Sequence, residues 1–190
     1  MKKRKTESKK AKKLYSFDLE NDRKLRNYVN LAAAFTGVIM LFIGCRIVPF
    51  KELYNVAGLS KFIVRTLKLI ICMASCLAIH ELIHLVAVRL VTGESAETGF
   101  DRIYPFVRSR REVDSTKYVL ISLAPVMILG AALVALLFVV PKGQFWIIYI
   151  TLIMHVTGSI GSIYCALRII TEKNGIKIKD NGRAVEIWLK

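Results

Sequence analysis

Apolar residues in this chain collect into four long runs separated by shorter polar stretches. The first run, about Leu31 to Val48, is closed by Arg46, whose stem can lie along an apolar surface while its guanidinium reaches a polar one. The second covers about Leu69 to Val91, the third Tyr118 to Val140, and the fourth Phe145 to Ile170. Roughly 20 apolar residues suffice for a helix to cross a hydrocarbon core of about 30 Å, so each run predicts a span. Pro125 and Gly130 interrupt the third run and Pro141 stops it. The connections are a polar link (Lys51 to Lys61), a loop from Thr92 to Lys117, and the very short turn Pro141-Lys142-Gly143-Gln144. A mixed segment, Phe62 to Lys68, reads as lying in a membrane interface. In the tail, residues alternate on either side of Asn181-Gly182, predicting a β-hairpin with a type I′ turn. The expected fold is all-α, a polytopic transmembrane bundle of about four spans carrying a small cytoplasmic β-hairpin.

Composition and charge sharpen this picture. Of 190 residues, 54% are hydrophobic, more than a soluble domain needs. Three regions follow: a basic cytoplasmic arm (1–29), a membrane helical domain (30–170) and a cytoplasmic tail (171–190). The net charge of +15 sits beside the apolar runs, where the positive-inside rule and anionic lipid account for it. No nucleic-acid motif accompanies it, and nucleic acid is not expected as a partner. The first dozen residues, crowded with lysine, are expected to be disordered against the bilayer. No cleavage site follows the first run, which reads as an uncleaved anchor. Arginine and lysine in the Thr92–Lys117 loop and both terminal regions predict that both termini are cytoplasmic, although the first link, with Lys51, Lys61, Arg65 and Lys68, dissents. The four cysteines (Cys45, Cys72, Cys76, Cys165) lie in apolar runs and suggest buried thiols, not a disulfide framework.

The chemistry begins inside the second run, at His80-Glu81-Leu82-Ile83-His84. Helical residues four apart share a face, so both imidazoles can approach one cation, with a zinc ion about 2.0–2.1 Å from each nitrogen. Glu81 projects beside them and can serve as general base towards a water. Polar and ionisable groups at this depth cost about 2.5–3.5 kcal/mol for a central charge, which argues for a role beyond packing. A structural polar cluster is the alternative. Catalytic zinc takes three protein ligands, and the third is expected from another span. His155, the remaining histidine, lies in the fourth run near small residues that permit close helix approach. Ser75, Thr157, Ser159 and Ser162 are candidate lining for a polar cavity. Cys72, Cys76, His80 and His84 also recur at intervals of four, but Cys72 and His84 are about 18 Å apart along a helix, too far for one ion.

His80-Glu81-Leu82-Ile83-His84, then Ser122-Leu123-Ala124-Pro125, then Gly158-Ser159-Ile160-Gly161-Ser162-Ile163-Tyr164, resemble a bacterial family of small membrane proteins described as putative zincin peptidases. That family is in turn similar to site-two-type intramembrane metalloproteases. The resemblance covers nearly everything after the basic arm. It implies a multi-pass protein of the bacterial cell membrane, using Zn2+ held by His80 and His84, with Glu81 catalytic and a membrane-protein or peptide substrate. It also implies an aspartate as third ligand where this chain has Ser162, a poor zinc ligand. Either His155 substitutes, two turns from Ser162 on a continuous helix, or the chain is a catalytically inactive pseudopeptidase that binds a membrane partner. In intramembrane proteases an edge strand near the site can pair with an unwound substrate, and Arg102 to Val107 is β-compatible. Oligomeric state is not legible.

Overall fold

The structure is a computed structural model, which describes residues 13–18, 21–94, 96–101, 104–108, 112–172, 175–180 and 184–189. The expectation of disorder for the first dozen residues lies outside them, as does the Asn181-Gly182 turn. Helix α1 (Arg23–Ile47) opens at Asp22, whose carboxylate accepts from the amides of Lys24 and Leu25, so it starts well before the apolar run. Helix α2 (Leu59–Thr92) is continuous over 34 residues. The interfacial segment expected at Phe62–Lys68 is therefore the first part of α2. No proline or glycine breaks the helix between Gly58 and Gly93, which flank it at φ 88° and 75°. At 1.5 Å per residue α2 is about 51 Å long and exceeds the hydrocarbon core.

Helix α3 (Ser115–Val139) contains Pro125. The fourth run is not one helix: α4 (Phe145–Gly158) and α5 (Ile160–Ile170) meet at Ser159 and bend by 43°. Among the described residues three helices are long and apolar enough to cross a membrane, or four candidates if the bent pair counts as one. Large apolar side chains face outward along them, including Phe35 and Phe42 on α1, Ile70 and Leu77 on α2, and Met127 and Phe138 on α3. An apolar exterior this extensive is compatible with a membrane protein.

Aromatic residues lock the far end of the bundle. Trp146, 1% exposed, donates from Nε1 to the Pro49 carbonyl at 3.1 Å. Tyr149 donates to the Met40 carbonyl at 2.6 Å and lies over Gly44, where a Cβ would come within 2.4 Å of its ring. Arg65 donates to the carbonyls of Glu52 (2.7 Å), Leu53 (3.0 Å) and Gly143, tying α2 to the turns before it and between α3 and α4.

At the other end the expected hairpin is part of a larger sheet. Strands β5 (Ile176–Asp180) and β6 (Ala184–Leu189) pair antiparallel, with β1 (Lys13–Asp18) on β6 and β4 (Val113–Asp114) on β5, in the order β1-β6-β5-β4. A hairpin alone is marginal; this one buries Ile178 and Ile187 completely against Cys165 and Ile169 of α5 and Tyr118 of α3. Strand β1 falls inside the region read as a polar arm because its alternation, Leu14 and Ser16 against Tyr15 and Phe17, is short and hidden among lysines. A second hairpin, β2 (Glu97–Asp101) with β3 (Tyr104–Arg108), occupies the loop after α2. Strands β1 and β6, from near the two ends of the chain, thus pair at one end of the bundle.

Candidate functional site

Helix α2 carries His80, Glu81 and His84 around the middle of its apolar length, all half-buried. Helix α4 brings His155 to them, 4% exposed. His80 Nδ1 and His155 Nδ1 stand 3.4 Å apart, and the rings of His80 and His84 have centroids 4.9 Å apart. The 43° break sets His155 apart from Ser162, so the expected two-turn relation along one helix does not hold. His155 joins the motif by helix packing instead. Gly130 of α3 faces its ring, where an added Cβ would make ordinary contact 3.9 Å from Nε2.

The other two stretches of the resemblance converge on the same place. Proline has no amide hydrogen, so Pro125 cannot donate to the carbonyl four residues earlier, that of Ile121. His84 donates to it instead, Nδ1 to Ile121 O at 3.1 Å. A carbonyl can only accept, so Nδ1 carries the proton and Nε2 keeps its lone pair. This is how a metal-binding histidine is oriented by a backbone carbonyl. Beside it, Ser122 donates from Oγ to the carbonyl of Ser162 at 3.2 Å, joining α3 to α5. Neither the Ile121 nor the Ser162 carbonyl has a sequence signature, because every residue carries one. The only legible signal was the proline.

Two of the hydroxyls proposed to line a cavity donate to their own helix. Thr157 Oγ1 donates to the Ile153 carbonyl at 2.8 Å, and Ser159, 1% exposed, donates to the His155 carbonyl at 2.7 Å. Ser75 faces outward on α2. Ser162 is half-buried and contributes its backbone to the Ser122 contact. Cys76 is buried among apolar side chains of the bundle core, and all four cysteines are free.

Does this arrangement fit zinc? Two nitrogens each 2.0–2.1 Å from a tetrahedral zinc lie about 3.3–3.4 Å apart, the spacing of the His80–His155 pair. No partner of good hydrogen-bond geometry meets the buried His155 Nε2, while the ring lies within reach of the Pro125 and Val126 backbone and, at Nδ1, of His80. The donor types suit zinc, and one pair suits it in spacing. Among the described residues, however, no group of three or more His, Cys, Asp or Glu side chains is arranged to hold a metal ion. The three-histidine set is two nitrogens and an oriented neighbour.

Residues 73–177, more than half the chain, match the model of a family described as "Putative zincin peptidase". The chain belongs to that family. The matched region runs from the His80–His84 motif through the broken fourth run and into β5, so it takes in every residue named above. No curated protein and no solved structure matches the chain.

Proposed function

We propose that this protein is a zinc-dependent peptidase acting on membrane-embedded or juxtamembrane peptides. The observation that carries the reading is the meeting of His155 with the His80-Glu81-x-x-His84 motif, at 3.4 Å between Nδ1 atoms. His80 and His155 would offer their Nδ1 lone pairs, and His84 its Nε2, kept unprotonated by the Ile121 carbonyl. A bound zinc ion supplies two things, a lowered pKa for water and polarisation of the scissile carbonyl. Glu81 then takes the proton of the attacking water at its carboxylate and returns it to the departing amine. Membrane insertion with both termini cytoplasmic belongs to this proposal, supported by the apolar exterior and the lysine- and arginine-rich terminal end.

A second reading, a pseudopeptidase that binds a membrane partner, is favoured by Ser162 at the family's aspartate position and by the incomplete donor set among the described residues. One experiment separates them. Chelator-free purified protein, the Glu81→Gln variant and the Ser162→Asp variant are compared for zinc content and for cleavage of a reconstituted membrane peptide. The peptidase reading expects about one zinc per chain and a loss of turnover in Glu81→Gln of on the order of a hundredfold or more, with zinc retained. Native protein without zinc or turnover, with both gained in Ser162→Asp, supports the pseudopeptidase.

A further inference from the structure

The first turns of α2, in the stretch read from sequence as a link, carry positive charge that loop-charge asymmetry does not explain, since they lie at the end of the bundle opposite β1 and β6. There the structure holds a cavity of about 280 Å³ lined by Val56, Ser60, Lys61, Val64, Arg65, Lys68 and Gln144. Lys61, Arg65 and Lys68 stand at i, i+4 and i+7 on α2 and so share one helix face. Among the described residues no acid lines the cavity. The nearby Glu52 carboxylate accepts from the Asn55 amide at 3.2 Å. Arg65 is held in place by its three carbonyl contacts, which fix its charge without neutralising it. Lys61 and Lys68 have exposed side chains and no carboxylate partner among the described residues. Ser60 and Gln144 add hydrogen-bonding groups, while Val56 and Val64 give an apolar wall.

Two lysines beside a fixed guanidinium, with further donors, form a receptor for a phosphate group. Its level in the fold decides the source. Lys68 is the last charged residue before the apolar stretch of α2, and Gln144 immediately precedes the apolar α4. The cavity is therefore at headgroup depth. We propose that it binds the phosphate of an anionic phospholipid headgroup, at the membrane face opposite the sheet. This depends on the membrane reading but not on peptidase activity, and the link's excess of lysine and arginine becomes a binding feature.

The test uses the full chain in mixed micelles, with lipid retention counted by native mass spectrometry and melting followed in parallel. Phosphatidylglycerol is compared with phosphatidylcholine, and inorganic phosphate is a separate arm. Lys61→Gln with Lys68→Gln is compared with a charge-matched control, Lys24→Gln with Lys117→Gln, at the sheet end. Arg65 is left alone because its loss would unpin the turns. The expected result is saturable retention of one phosphatidylglycerol per chain, weakened on the order of tenfold in the first double variant and unchanged in the control. Saturable binding of inorganic phosphate that the first double variant loses, without any preference among lipids, keeps the phosphate site but overturns the lipid source. Equal retention of the two lipids with no phosphate binding, or equal loss in both double variants, overturns the site.

Discussion

Pro125 and His84 are 41 positions apart in the sequence, yet one missing hydrogen connects them. Because proline leaves the Ile121 carbonyl without its helical donor, that oxygen is free to fix the tautomer of His84. Pro125→Ala restores an amide hydrogen that competes for Ile121. We expect zinc affinity to fall on the order of 10–100-fold, the usual effect of losing an orienting partner, while the melting temperature holds or rises. Zinc titration beside thermal unfolding checks this; unchanged affinity would mean that the carbonyl does not orient the ring. His155→Ala is expected to remove zinc at a stability cost limited to the packing of its ring and its contacts with His80 and the Pro125–Val126 backbone. A large loss of stability with zinc unchanged would mark His155 as structural. Gly44→Leu tests packing at the far end, where a Cβ already meets the Tyr149 ring at 2.4 Å. Overpacking of this kind costs about 1–3 kcal/mol, readable as a lower melting temperature.

Elements show where local rules bent. Helix α2 is long because nothing inside it stops it, and it ends at Gly93, whose φ of 75° an L side chain resists. Gly93→Ala is expected to cost about 1 kcal/mol with no effect on the site some turns away. The break between α4 and α5 has a different cause. Gly158 and Gly161 have poor helix propensity, and Ser159 bonds back to the His155 carbonyl, competing with the backbone ladder. Gly158 has open space where a Cβ would go, so Gly158→Ala is tolerated sterically. If the 43° bend comes from weak propensity, the alanine stiffens it and raises stability by up to about 1 kcal/mol. If packing enforces the bend, unfolding shows no gain.

On the scale of the molecule, the sheet is fastened to α3 and to the region of α5, the helix beyond the break. Tyr15 of β1 donates to Glu172 and stacks with Arg168 (5.7 Å), Phe17 meets Tyr164 edge-on (6.3 Å), and Tyr118 donates to Asp180 at 3.1 Å. Burial, then the Glu172 hydrogen bond and charge, push the Tyr15 phenol up to about 12. For an acid whose folded pKa exceeds its unfolded value, the stabilisation is full below the unfolded value of about 10 and disappears as pH rises towards 12. The native protein should therefore lose stability across that window more steeply than Tyr15→Phe does, as melting curves against pH would show. Parallel curves would sink the assignment.

The long apolar helices, the helix face shared by His80 and His84, and the tail strands were legible along the chain because each depends on neighbours. Apolar length decides a span, four-residue spacing decides a shared helix face, and strict alternation decides a strand. The continuity of α2 and the break at Ser159 were legible in part: glycines marked them, but the strength of a local breaker is settled only against packing. Three features needed the tertiary structure. The sheet's first strand, the Ile121 carbonyl and the basic cavity are each assembled from segments far apart in sequence, and two of them rest on backbone groups that all residues share. The meeting of His155 with His80 belongs there too. Sequence offered three histidines on two apolar helices, while small residues on α3 and α4 and the hydrogen bonds between helices decided how those helices pack and which nitrogens face each other.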